Sequence, residues 1–341
     1  KIAHRHSANP ALVVRYQGVN WTYGELQARV NRLATGLIHL GIKPGDRVGI
    51  WGPNSSEWVL VQLATAKIGA IMVCINPAYR LYELEYALNK VECKTLITDV
   101  SFKTSDYLGM INTLAPELEN SHSRKLEAEK LPHLKHVIRM GSDTTPGMHN
   151  FDAVCAAGTP DDQATMDALQ AALQPDDAIN IQFTSGTTGN PKGATLSHCH
   201  ILNNGFLTGL AMQLGPADKL CIPVPLYHCF GMVLSVLACV SHGATMVFPG
   251  PSFDPEETLK SVEAEGCTAL HGVPTMFITE LDHPRFAEFD LSTLRTGIMA
   301  GAPCPVEVMK RVLSEMHMED ILIAYGQTEL SPINNLSLIH I

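Results

Sequence analysis

The chain has 341 residues, enough for one large domain or two smaller ones with a buried core. Hydrophobic residues make up 45% and charged residues 17%, an ordinary globular balance. Lys and Arg number 24 against 34 Asp and Glu, a net charge of −10. That argues against nucleic acid as a partner, yet leaves room for a small anion held by local donors.

The first segment predicts alternating helices and strands. In WTYGELQARVNRLATGLIHLG, Leu26, Val30, Leu33, Leu37 and Leu40 recur every three or four residues, one apolar face of a helix, and Gly41 is a stop signal. DRVGIWG, 46–52, reads as a buried strand. NSSEWVLVQLATAKIGA restarts a helix, with Asn54 or Ser55 as N-cap and Glu57 placed for a capping box. AIMVCIN is the next strand, and RLYELEYALNKVECKTLITD gives a further helix and strand. This rhythm predicts an α/β protein with largely parallel sheets. Residues 113–178 are polar and turn-rich, with only LKHVIRM strand-like, so surface connections are expected there.

Nine cysteines without a C-x-x-C pair argue against a disulfide framework and fit a reducing compartment. His198-Cys199-His200 lacks a second ligand cluster at suitable spacing, so it reads as the start of a half-buried helix rather than a zinc site. The longest apolar stretch, around Met232 to Val240, is far shorter than the roughly 18 residues of a membrane span. The chain begins at Lys1 rather than a methionine, so the natural start, and any targeting peptide, is expected to be missing.

Past the strand-like Ile179 to Phe183 comes FTSGTTGNPKG, 183–193. It fails the P-loop spacing, because the sixth position from Gly186 is Pro191 and Lys192 precedes Gly193. It fails the dinucleotide fingerprint too, since Thr187 and Thr188 follow Gly186. What remains is a third design. Thr184, Ser185, Thr187 and Thr188 offer hydroxyls, Gly186 and Gly189 let main-chain N–H groups turn towards one anion, and Lys192 adds a point charge. The plain alternative is a hairpin turn. Beyond it, KLCIPVPL, ATMVFP, TALHGV, TGIMAG and DILIAYG are candidate strands. DPEETLKSVEAEG, PTMFITELDHP and PVEVMKRVLSEMH are candidate helices.

TSGTTGNPKGATLSH resembles the signature loop of the adenylate-forming superfamily: acyl-CoA synthetases, luciferases and peptide-synthetase adenylation domains. AYGQTE (324–329), MAGAPCP (299–305), PLYHCFG (225–231), WTYGEL and GDRVGI match it as well, in the expected order. The resemblance covers nearly all of 1–332. It implies the large N-terminal domain of that fold, with mostly parallel sheets flanked by helices and the small C-terminal domain absent. It also implies ATP-dependent activation of a carboxylate to an acyl-adenylate, then transfer to the thiol of coenzyme A. Thr184, Ser185, Gly186, Thr187, Thr188, Gly189 and Lys192 would cradle the β- and γ-phosphates. Thr328 would bond the α-phosphate and Glu329 would hold Mg²⁺. Tyr325 and Gly326 would meet adenine, with Gly301, Ala302 and Pro303 on its other side. His228 would contact the acyl carboxylate. Apolar neighbours such as Met232, Val233 and Leu234 suit an alkyl chain, and the motifs are most similar to those of medium-chain fatty-acyl-CoA synthetases. Such a resemblance implies the small-molecule substrates fatty acid, ATP and coenzyme A, and a mitochondrial matrix location, with the cytoplasm as the alternative.

The family pattern should continue past Pro332, through a ribose-binding Asp, a hinge and a catalytic lysine. The chain on this reading is an incomplete AMP-binding domain over 1–332, expected to bind nucleotide poorly and turn over little, with 333–341 outside the family. Leu336 to Ile341, LSLIHI, is what CTG TCT CTT ATA CAC ATC encodes, the end sequence of a transposase used in sequencing libraries, so an adapter-derived tail is expected. The alternative is a natural short, non-catalytic form that acts as a binding or interaction protein.

Overall fold

Buried strands of a parallel sheet need near-continuous apolar runs, and the runs read above become such strands. The computed structural model describes residues 2–121, 126–184 and 189–338. The chain divides into two units, one of residues 1–27, 54–56 and 199–341, the other of 28–53 and 57–198.

The second of these is built on a seven-stranded sheet. Its order is Lys192–Ser197, Ala178–Thr184, Ile71–Ile75, Arg47–Trp51, Thr95–Thr98, His136–Arg139 and His149–Asn150. All neighbours run parallel except the first pair, an antiparallel hairpin with Thr184 opposite Lys192. One face buries Trp51, Val73, Leu84, Leu88, Leu96 and Tyr107, the rings of Trp51 and Tyr107 lying 4.0 Å apart. The helix Tyr23–His39 ends as expected at Gly41, where Gly41 N–H bonds to Ile38 O and Ile42 N–H to Leu37 O.

Residues 113–178 are more ordered than their composition suggests. They hold the helices Phe151–Ala156 and Pro160–Ala172 as well as the strand His136–Arg139, and they bury Leu131, Leu134, Met148, Phe151 and Val154. The longer helix turns only Met166 fully inwards, which is why no apolar period shows. Its start was nevertheless written in the sequence. Thr159 and Asp162 form a capping box, and Pro160 takes the first helical position.

The other unit carries an eight-stranded sheet in the order Ile333–Leu338, Asp320–Gly326, Thr296–Ala300, Ala269–Gly272, Lys219–Cys221, Thr245–Phe248, Pro10–Val14 and Val19–Thr22. The six central strands are parallel and the two edges antiparallel. The helices Pro255–Glu265, Pro274–Leu281 and Val306–Glu315 form as expected, and Leu259, Phe277, Met309 and Val312 join a core with Cys221, Leu270 and Met299. KLCIPVPL is strand only over Lys219–Cys221, since Pro223 and Pro225 carry no N–H for a ladder. The helix Ser56–Lys67 is not capped by Asn54. Asn54 instead bonds Val224 O through Nδ2 and accepts from Leu226 N–H, while Gln17 Oε1 takes the N–H of Ser56. Among the described residues no helix is long and apolar enough to cross a membrane.

Candidate active site

At the carboxyl ends of two neighbouring parallel strands, Thr296–Ala300 and Asp320–Gly326, the chain leaves the eight-stranded sheet through the motifs MAGAPCP and AYGQTE. Ligands of open α/β sheets bind at such ends. A cavity of about 220 Å³ opens there, lined by His228, Cys229, Ala300, Gly301, Gly326 and Thr328 among others.

His228 belongs to the turn before a π-helix, Phe230–Leu237, an uncommon form often found at functional sites. A side chain at Gly231 would put its Cβ 2.5 Å from Pro225 O, so only glycine closes this turn. The Phe230 N–H donates to His228 Nδ1 at 3.1 Å. That bond leaves the ring proton on Nε2, the other nitrogen of the neutral imidazole. The ring is open to the cavity, yet enough surrounding protein displaces water to lower its pKa below the usual histidine value. His228 is therefore a neutral donor at neutral pH.

Thr328 heads a short 3₁₀ turn, Thr328–Leu330, closed by Ser331 N–H to Thr328 O at 3.1 Å. Its Oγ1 lies 3.9 Å from Cys229 Sγ, and Cys229 Sγ lies 3.7 Å from His228 Nδ1. Burial pushes the Cys229 thiol up to about 11, against the pull of the Thr328 hydroxyl, so it stays protonated and is a spacer rather than a nucleophile. Glu329 is exposed, and its charge raises the Cys229 pKa further. Tyr325 is 58% exposed at the strand end, with Gln327 Nε2 3.4 Å from its hydroxyl. Gly301, Ala302 and Pro303 are exposed as well, leaving a flat, open ledge.

No group of three or more His, Cys, Asp or Glu side chains among the described residues could hold a metal ion. A single exposed carboxylate such as Glu329 fits Mg²⁺ only in its usual mode, one or two carboxylates with substrate phosphates supplying the rest.

Thr184, Gly189 and Lys192 belong to the seven-stranded unit, at the tip of its edge hairpin. Thr184 Oγ1 lies 3.4 Å from Lys192 O, and Tyr82 OH 3.4 Å from Asn190 Oδ1. Gly189 has φ of +113° and open space around it. Ser185, Gly186, Thr187 and Thr188 lie outside the described residues.

Three features escaped the sequence reading. Cys229 stands between His228 and Thr328, and only its place next to His228 hinted at that. Asn204 clamps Ile333, its Nδ2 donating to Ile333 O at 3.0 Å and its Oδ1 accepting from Ile333 N–H at 3.1 Å. Ile333–Leu338, read above as part of a tail outside the family, is an edge strand paired with Asp320–Gly326, and Pro332 and Ile333 line the cavity.

The model of the AMP-binding enzyme family matches residues 1–339. The chain belongs to that family. Among curated AMP-binding relatives, YngI of Bacillus subtilis (strain 168) is 47% identical over 323 residues, covering 95% of this chain and 59% of that protein. The mitochondrial medium-chain acyl-CoA ligase ACSF2 of Danio rerio is 43% identical over 331 residues, covering 96% of this chain and 54% of the ligase. The chain thus spans little more than half the length of the relatives it matches. The inhibitor-bound N-terminal domain of FACL13 from Mycobacterium tuberculosis superposes with a TM-score of 0.82 at 24% identity, over 99% of this chain and 76% of that one. The anthranilate CoA ligase AuaEII, solved with anthranoyl-AMP, gives 0.86 at 22% identity, over 99% and 61%. Both likenesses establish the fold, an α/β N-terminal domain of adenylate-forming enzymes with mixed, mostly parallel sheets.

Proposed function

We propose that the protein of which this chain is part is a fatty-acyl-CoA ligase, acting on medium-chain acids in the manner of acyl-CoA synthetase family member 2. The substrate carboxylate attacks the α-phosphorus of ATP. The bond to the β-phosphate oxygen breaks, and acyl-adenylate and pyrophosphate result. The thiol of coenzyme A then attacks the acyl carbon, giving the thioester and AMP. Such chemistry needs positioning and charge neutralisation more than a protein nucleophile.

The observation that carries the reading is the convergence of a neutral Nε2–H donor, His228, with the hydroxyl of Thr328 at one cavity beside the open ledge of Tyr325. His228 orients a carboxylate oxygen, Thr328 donates to the α-phosphate, and Tyr325 offers its ring face to adenine. Lys192, Thr184 and Gly189, with Ser185 to Thr188, meet the departing phosphates. When bound, Mg²⁺ neutralises phosphate charge, and Glu329 is the residue that would hold it. Uncharged, apolar Leu234 on the cavity wall favours an alkyl chain. The mitochondrial name of the ACSF2 relatives supports a matrix location.

The test is acid-dependent exchange of pyrophosphate into ATP by the full-length protein. Octanoate should drive exchange more strongly than acetate or anthranilate, and Thr328→Val should abolish it. Exchange that no fatty acid stimulates would overturn the reading.

A further inference from the structure

A second cavity, of about 580 Å³, opens within the seven-stranded unit. Its basic lining is His39, Lys94, Lys135, His136 and His149. Lys94 directly precedes the strand Thr95–Thr98, and Lys135 directly precedes His136–Arg139. Both strands run parallel to the sheet that Ala178–Thr184 joins. The cavity therefore opens at the amino ends of these strands, whereas the loop after Thr184 leaves from a carboxyl end. The two are separate sites at opposite edges of one sheet.

The basic side chains are held in place. Lys94 Nζ donates to Gly41 O at 2.9 Å and pairs with the Asp46 carboxylate. Lys135 Nζ donates to Pro132 O at 2.8 Å. His136 Nδ1 and His149 Nε2 are 3.2 Å apart, so one ring donates to the other. His39 Nδ1 meets Asp162 Oδ2 at 3.1 Å. Each of the two balancing acids thus sits on one basic partner, and Lys135 has neither. The remaining wall is Asn150 and the apolar Leu40, Ala153, Val154 and Ala157.

We propose that this cavity binds a small organic phosphate, its phosphoryl group at Lys135 and the His136–His149 pair and its apolar body against Val154. An ammonium is a compact point charge suited to phosphate. The volume lies within the roughly 300–1,000 Å³ of small-molecule sites, far more than a bare ion fills. The mixed basic and apolar lining matches a phosphate monoester rather than a metal or a neutral lipid. None of the residues proposed for adenylation takes part.

The experiment follows the imidazole carbon-bound protons by NMR in the whole chain carrying Lys192→Ala, which weakens phosphate capture at the loop. Phenyl phosphate is titrated first, then inorganic phosphate. Saturable shifts of the His136 and His149 signals are expected, at lower concentration for phenyl phosphate. Lys135→Ala should weaken that binding about tenfold or more, the worth of one charged hydrogen bond, and Lys135→Arg should restore most of it. Unmoved His136 and His149 signals, or equal affinity in Lys135→Ala, would overturn the assignment. Neither result bears on the adenylation site, whose residues the titration does not read.

Discussion

In the seven-stranded sheet the strand Ala178–Thr184 runs out into a loop and returns antiparallel as Lys192–Ser197; in the eight-stranded sheet Asp320–Gly326 does the same and returns as Ile333–Leu338. Both turns carry a family motif at a sheet edge. They differ in what closes them. The second turn is bound by Gln327 N–H to Pro332 O and Leu330 N–H to Gln327 O, both 2.9 Å, and by the Asn204 clamp on Ile333. The described residues of the first turn meet through polar contacts of 3.4 Å, with Gly189 in open space. Groups that align a carboxylate with the α-phosphate need a fixed angle, since small misplacement is costly in rate. Groups that follow a departing polyphosphate do not.

The sharpest way to break this comparison is to add one methyl group to each turn. At Gly326 a Cβ would stand 1.9 Å from Pro332 O, backbone that cannot yield. Gly326→Ala should cost about 3 kcal/mol in urea denaturation, as overpacking does. Gly189→Ala meets no atom and should cost only the left-handed backbone penalty, about 1–2 kcal/mol. Equal losses would mean that the turns are equally rigid.

Acid tests the eight-stranded unit next. Burial lowers His271 to about 3 and also lowers His228, both in the eight-stranded unit. His271 is fully buried, its Nδ1 2.9 Å from Ser235 Oγ in the π-helix. A histidine whose folded pKa lies below its unfolded value of 6.5 takes up its proton more readily when unfolded. Stability is therefore full above pH 6.5 and falls as pH drops towards 3. The slope from His271 is about 1.4 kcal/mol per pH unit. Denaturation midpoints at pH 7 and 5 should differ accordingly, and His271→Gln should flatten the difference.

Much of this was legible in advance, and the reason is local. Strands such as Arg47–Trp51 and Thr296–Ala300 announce themselves as apolar runs because both faces are covered. His228, Thr328 and Tyr325 were readable only through motif resemblance. Their meeting depends on which strands pair, and no spacing along the chain encodes that. The edge strand Ile333–Leu338 was illegible for the same reason, since its order comes from backbone pairing and from Asn204, 129 residues away. The long helix Pro160–Ala172 hid behind a polar outer face, although its capping box was in view.

Ligand binding offers a smaller but more selective contrast. Lys192→Ala should weaken pyrophosphate binding about tenfold, with no change in the denaturation midpoint, because the side chain is exposed. Thr328→Val should leave pyrophosphate binding alone and weaken AMP instead. Calorimetry on both variants would expose any mixing of roles. Smallest of all, Asn204→Ala should cost about 1 kcal/mol by freeing Ile333, read as faster amide exchange in the last strand only.

The most direct measurement is calorimetric binding of octanoyl-sulfamoyl-adenosine, a stable acyl-adenylate mimic, to the full-length protein and to its His228→Ala and Thr328→Val variants. The account predicts saturable binding, weakened about tenfold by either substitution. Absence of binding, or binding that both variants retain unchanged, would contradict the claim that this cavity holds the acyl-adenylate.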